Sequence, residues 1–164
     1  MSIMPVTGKI TSEYGFRVLN GIQENHKGID IAVPVNTSIG SIADGVIKSM
    51  GYSNARGNYV VVDHVDGYSS LYQHLSKATV AQGAKVSMGQ VIGLSGNTGN
   101  STGPHLHYEV YKDGSNINPK DFTSALKNNL GIMSGFDTDG ILGALKYNWW
   151  MVVGGLVLLS LIKK

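Results

Sequence analysis

Turn-forming pairs interrupt this chain at close intervals: Asp44-Gly45, Asp66-Gly67, Gly96-Asn97, Thr98-Gly99 and Asp113-Gly114. Glycine reaches left-handed backbone without a steric penalty and Asp or Asn tolerate it, so such pairs favour tight turns. Around them lie short β-compatible runs at Thr37–Ile47, Asn58–His64, Tyr68–His74, Val91–Leu94 and Leu106–Tyr111. The 22 glycines, together with Val, Ile, Tyr and Thr and little helical periodicity, point the same way. Residues 1–123 therefore predict an all-β domain, a small antiparallel sheet or sandwich-like unit rather than alternating βαβ units. Within it, Val60–His64 and Tyr68–His74 form a hairpin across Val65-Asp66-Gly67. Asn118-Pro119 closes the sheet region, and Asp121–Leu130 predicts a short helix with Phe122, Ala125, Leu126 and Leu130 on one side. Residues 124–140 are thus helix and linker.

The 164 residues suffice for one domain with a core, plus a tail. Thirteen Lys and Arg against 11 Asp and Glu leave a net charge of +2, without the basic footprint of a nucleic-acid binder, so no nucleic-acid partner is expected. The chain has no cysteine, so any metal must be held by His, Asp or Glu. The first residues, MSIMPVTGKITSEYGFR, have no positive end followed by an apolar run, and no cleavable secretory signal is expected.

Residues 141–164 differ in kind. Ile141–Ile162 is apolar but for Lys146 and Asn148, and ends in Lys163-Lys164. Its uninterrupted core, Trp149–Ile162, would span about 21 Å as a helix, short of the roughly 30 Å bilayer interior. Counted from Ile141 the segment reaches about 33 Å, with Tyr147, Trp149 and Trp150 suited to an interfacial belt. Val152, Val153, Leu156, Val157, Leu158, Leu159, Leu161 and Ile162 go all the way round a helix, leaving no polar face. A transmembrane or membrane-embedded anchor is expected; packing on protein is the alternative.

Three fragments carry chemistry. In His26-Lys27-Gly28-Ile29-Asp30 an imidazole and a carboxylate lie close in sequence, and Gly28 lets the backbone turn both toward one centre. Alone, such a pair is more often a surface hydrogen bond. In Gly103-Pro104-His105-Leu106-His107-Tyr108-Glu109 a strand would project His105, His107 and Glu109 on one face, adjacent ones about 6.6–6.8 Å apart along the chain, with Leu106 turned into the core. Two such histidines are costly to bury without partners. In Tyr72-Gln73-His74-Leu75-Ser76 a histidine ends a strand, by default at the surface, and His64 is read as structural. Together the fragments change the odds. Two imidazoles and a carboxylate make a tetrahedral zinc site with an open fourth position, and two further imidazoles could handle protons.

At these residues the sequence resembles the lysostaphin- and LytM-type zinc endopeptidases of cell-wall peptidoglycan. The similarity runs from Val6 to Pro119, through His26-Lys27-Gly28-Ile29-Asp30, Ala43-Asp44-Gly45-Val46-Ile47, Gly57–His64, Leu71–Ser76, Gly89–Gly99 and Gly103–Glu109. The resemblance implies His26, Asp30 and His107 as zinc ligands. It implies His74 and His105 as the non-ligand catalytic histidines, with the choice of base left open. His64 matches no catalytic position of the family. Relatives that have lost activity typically lack one or more of the ligands; here all five positions are filled, which implies an active enzyme rather than a wall-binding scaffold. The implied substrate is the peptide stem or bridge of peptidoglycan, with the bond unspecified. The stretch between Arg17 and His26 is short for the family, so one wall of the groove is expected to be small. The combination of wall enzyme, absent signal and short anchor leads us to expect a bacteriophage protein carried in a virion, membrane-anchored, beside other virion proteins.

Overall fold

The computed structural model describes residues 4–19 and 21–129. Thirteen strands and one helix are found among them: β1 (Lys9–Ser12), β2 (Gly15–Leu19), β3 (Ile22–His26), β4 (Ile29–Ala32), β5 (Ser38–Gly40), β6 (Gly45–Ser53), β7 (Gly57–Asp63), β8 (Tyr68–Leu75), β9 (Lys77–Ala78), β10 (Lys85–Val86), β11 (Val91–Leu94), β12 (His105–Lys112), β13 (Ser115–Ile117) and α1 (Pro119–Asn129). Eight strands form one antiparallel sheet in the order β1-β4-β12-β8-β7-β6-β10, with β13 paired to β12 off that path. β5-β11-β9 form a second sheet and β2-β3 a separate hairpin.

Alternation along the central strands gives the large sheet two unlike faces. Ile29 and Ile31 of β4, Leu106, Tyr108 and Val110 of β12, Tyr72 of β8 and Val60 and Val62 of β7 are buried on one of them. Each such side chain contributes roughly 1.5–3 kcal/mol by leaving water. The small sheet closes over this face: the Ile42 amide donates to the Tyr72 hydroxyl (3.0 Å), and Leu75 packs against Gly93. The opposite face carries Asp30, Gln73, His107 and Glu109, and it is there that polar chemistry gathers.

The expected β7–β8 hairpin is present. The His64 amide donates to Tyr68 (2.9 Å), and Asp66 and Gly67 are both left-handed, with φ of 55° and 69°. Leu106 is fully buried, as the alternation required. Other expectations are corrected. Thr37–Ile47 is not one strand: β5 ends at Gly40 and β6 begins at Gly45, in different sheets, because the chain crosses between layers here. The helix starts at Pro119, earlier than expected. The Asn118 side chain caps it by accepting from the Lys120 amide (3.0 Å), and proline suits the first helical position. Strands β1–β4 were not anticipated, although Asn20-Gly21, between Leu19 and Ile22, is a strong hairpin signal.

The sheets belong to one unit, Met1–Leu126; Lys127–Lys164 form a second, of which only the end of α1 is described. The expected linker and the apolar segment Ile141–Ile162 lie outside the described residues. No helix among the described residues is long and apolar enough to cross a membrane.

Gly28 joins β3 to β4 where the chain passes β12. A Cβ there would overlap the carbonyl oxygen of Tyr108 and crowd the Glu109 side chain. Gly28→Ala should therefore push β4 off β12, destabilising the domain by about 1–3 kcal/mol and lowering its Tm by several degrees. A melting curve matching wild type would show that the close approach is not needed.

Candidate metal centre

His26 ends β3, Asp30 lies in β4, and His105 and His107 lie in β12, whose register sets His107 opposite Asp30. His107 is also opposite Gln73 of β8, and His74 follows at the end of that strand. Four strands thus deliver the five predicted residues to one place. His107 Nδ1 is 2.7 Å from Asp30 Oδ1 and 3.0 Å from His26 Nε2, and His26 Nε2 is 3.3 Å from Asp30 Oδ1. His105 Nε2 lies 3.8 Å from the same carboxylate oxygen. The His74 and His105 rings are 4.7 Å apart, and His74 is 6.0 Å from His107.

Each of the four imidazoles is held by one nitrogen and offers the other. The Nδ1–H of His26 donates to the Glu13 carbonyl (2.7 Å), that of His74 to the Thr98 carbonyl (2.8 Å) and that of His105 to the Gly103 carbonyl (2.7 Å). His107 is reversed: its Nε2–H donates to Glu109 Oε1 (2.9 Å). These partners assign the tautomers, and such outer contacts fix the orientation of metal-binding imidazoles. The result is a set of lone pairs, on His26 Nε2, His107 Nδ1 and Asp30 Oδ1, aimed at one another. Three acceptors at such distances repel unless a cation stands among them. Tetrahedral zinc, with bonds of ~2.0–2.1 Å, would space its donors by about 3.3 Å, close to what is found. The donor set fits zinc.

Several supporting residues were not anticipated. Arg17 Nη1 donates to Asp30 Oδ2 (3.1 Å), leaving Oδ1 for the centre. Glu109, foreseen only as sharing the face of His107, also accepts from Gln73 Nε2 (2.8 Å) and from the Tyr111 hydroxyl. The three carbonyl anchors carry no side-chain signature at all. His64 stands apart, as expected. Its Nδ1–H donates to the Asp44 carbonyl (2.8 Å), its Nε2 accepts from Ser70 Oγ (2.7 Å), and its ring stacks near Phe122 of α1. It lies toward the far end of β8.

The charges follow the geometry. Burial opposes ionisation of Asp30, but hydrogen bonds and charge from His107 and His26 outweigh it and hold the carboxyl well below the usual range. Burial likewise opposes protonation of His107, yet Asp30 and Glu109 raise it to about 9. Burial, reinforced by the charges of His105 and His107, lowers His74 in spite of its bond to Thr98. In the metal-free protein a proton on His107 therefore does part of a metal's work. Because that folded pKa lies above the ordinary 6.5, its stabilisation is complete below pH 6.5 and is lost as pH rises through about 9. Asp30 is depressed, so its share is present above about pH 4 and is lost in acid. Chelator-treated protein should lose Tm between pH 6.5 and 9, and zinc should restore it most at the alkaline end. A flat profile would contradict this coupling.

The family model for peptidase family M23 matches residues 24–119, which contain all five residues. The chain belongs to peptidase family M23. The peptidoglycan DD-endopeptidase ShyA of Vibrio cholerae is 44% identical over 119 residues, 70% of this chain and 28% of that protein. A zinc-containing peptidase from Vibrio cholerae has a similar fold (TM-score 0.65, 36% identity, 71% of this chain and 38% of that one). So has the catalytic domain of the antimicrobial peptidase lysostaphin from Staphylococcus simulans (TM-score 0.65, 35% identity, 71% and 92%). The match covers less than a third of the curated relatives' own length. The M23 fold here is mostly antiparallel sheet, and among the described residues the group able to hold a metal ion is His26, Asp30 and His107.

Proposed function

We propose that this chain is a zinc endopeptidase that hydrolyses peptide bonds in the stems or cross-links of bacterial peptidoglycan. The observation that carries the reading is the convergence of three lone pairs, from His26 Nε2, Asp30 Oδ1 and His107 Nδ1, beside two further imidazoles with a free Nε2. The peptidoglycan activity named for ShyA and the zinc named for its structural relative support it. Bound there, zinc supplies a Lewis acid that acidifies water and polarises the scissile carbonyl.

The protein's own residues do the rest. Arg17 and Glu109 hold Asp30 and His107 in the orientation that ligation needs. His74, with its proton on Nδ1 tied to Thr98, presents an unprotonated Nε2 and takes the proton of the attacking water. His105, with Nδ1 tied to the Gly103 carbonyl, turns its Nε2 toward the centre, where it can hydrogen-bond the developing oxyanion or the leaving amine.

The test is digestion of defined peptidoglycan by the full chain with added zinc and with chelator, the fragments read by mass spectrometry. New amino termini that disappear with chelator are expected. Binding to wall material without cleavage would favour a scaffold. We further propose that Ile141–Ile162 tethers the domain to a membrane and that a bacteriophage particle carries it to the wall; the apolar composition of that segment, joined to a wall-directed domain, supports the pairing. Mass spectrometry of purified particles should detect the chain, and its absence would end the carriage proposal.

A further inference from the structure

The polar face of the large sheet does not stop at the metal centre. Beyond His107, the same face of β12 carries Glu109 and then Tyr111, opposite Leu71 and Ser69 of β8. Here the surface dips into a cavity of about 330 Å³, lined by Lys48, Ser49, Arg56, Ser69, Leu71 and Tyr111 among others. At 3.3–3.4 Å per residue, this stretch of β12 lies about 7–13 Å from His107, two to four residues along an extended chain.

Arg56, an exposed residue, lines the cavity. Its backbone borders the centre, since its carbonyl accepts from the His74 amide (2.8 Å). Its guanidinium lies 5.4 Å from the Tyr59 ring centroid, a contact that orients the group. Among the described residues it has no carboxylate within ion-pair distance. Lys48, by contrast, is paired with Asp63 (3.1 Å). Glu109 is the nearby candidate partner, but its oxygens are taken by His107, Gln73 and Tyr111. The result is an oriented guanidinium that feels the Glu109 charge but touches no carboxylate among the described residues, beside a cavity on the face that carries the metal centre. Arginine's planar fork suits a carboxylate better than it suits any neutral peptide group.

We propose that Arg56 and this cavity form a carboxylate subsite, which selects peptides bearing a free carboxyl group two to four residues from the cleaved bond. The inference rests on the proposed hydrolase reading and names a determinant of its specificity. Arg56 is a positioning residue for substrate and takes no part in bond cleavage.

The experiment uses the zinc-loaded full chain and a cross-linked stem-peptide dimer in two forms, with carboxyl groups free or converted to carboxamides. Cleavage gives kcat/KM for each form, and calorimetry gives the binding of each. Wild type should prefer the free carboxylates by about tenfold to a hundredfold. Arg56→Gln should bring that ratio close to one, mainly through KM, with zinc content unaltered. Arg56→Lys should restore part of it. An unaltered ratio in Arg56→Gln, with cleavage intact, overturns the subsite and leaves the hydrolase reading standing. Preferential binding of the carboxylate form that Arg56→Gln abolishes, without cleavage by wild type, supports the subsite while the hydrolase reading fails. If wild type neither binds nor cleaves the free form preferentially, the subsite is wrong.

Discussion

His107→Ala is expected to leave a folded chain that retains no zinc and cuts no peptidoglycan. The residue supplies one of three converging donors, and two are too few for a catalytic zinc site. Without the ion, the attacking water is no longer acidified, so a loss of about a thousandfold or more is expected. The fold should survive, because the neighbouring charges keep other partners. Arg17 still holds Asp30, and Gln73 and Tyr111 still hold Glu109. Metal analysis and peptidoglycan digestion of the variant decide the matter together. Wild-type zinc content or wild-type cleavage would refute the assignment of His107 as a ligand.

The second large effect is expected at His74, and it differs in kind. His74→Ala should keep its zinc, since His26, Asp30 and His107 are untouched, yet lose about 10²–10⁴-fold in kcat. The acidic limb of the pH–rate profile should disappear with the group that must be unprotonated there. His74 occupies left-handed backbone, at φ 61°, which costs alanine more than it costs asparagine. His74→Asn is therefore the companion variant, separating loss of the imidazole from backbone strain. A kcat within a few-fold of wild type in both variants would remove His74 from proton transfer.

Much of the centre was legible in the sequence because strand periodicity speaks directly about faces. His105 and His107, two apart, could share a face only on a strand, and Leu106 between them had to be buried. Gly28 was also legible, though for a different reason from the one expected: it is needed for close passage over Tyr108 rather than for a special backbone angle. Less was legible where propensity says nothing about partners. Ile39, Ile42 and Ile47 are all buried, so Thr37–Ile47 looked continuous although its two ends belong to different sheets. Arg17 could not be matched to Asp30 from sequence, because the turn of hairpin β2–β3 and all of β3 lie between them and nothing in either residue type states how the chain folds back. Glu109 was visible on the right face, but its bond to the nitrogen of His107 that faces away from the centre depends on a tautomer that only the folded network fixes.

Three of the four imidazoles are oriented by main-chain carbonyls, at Glu13, Thr98 and Gly103. Every amino acid brings the same carbonyl, proline included. The segments that carry these anchors can therefore change side chains over evolutionary time, and with them the groove they present, without losing the atoms that aim the histidines. Such an arrangement separates the freedom to acquire new substrates from the need to conserve one reaction.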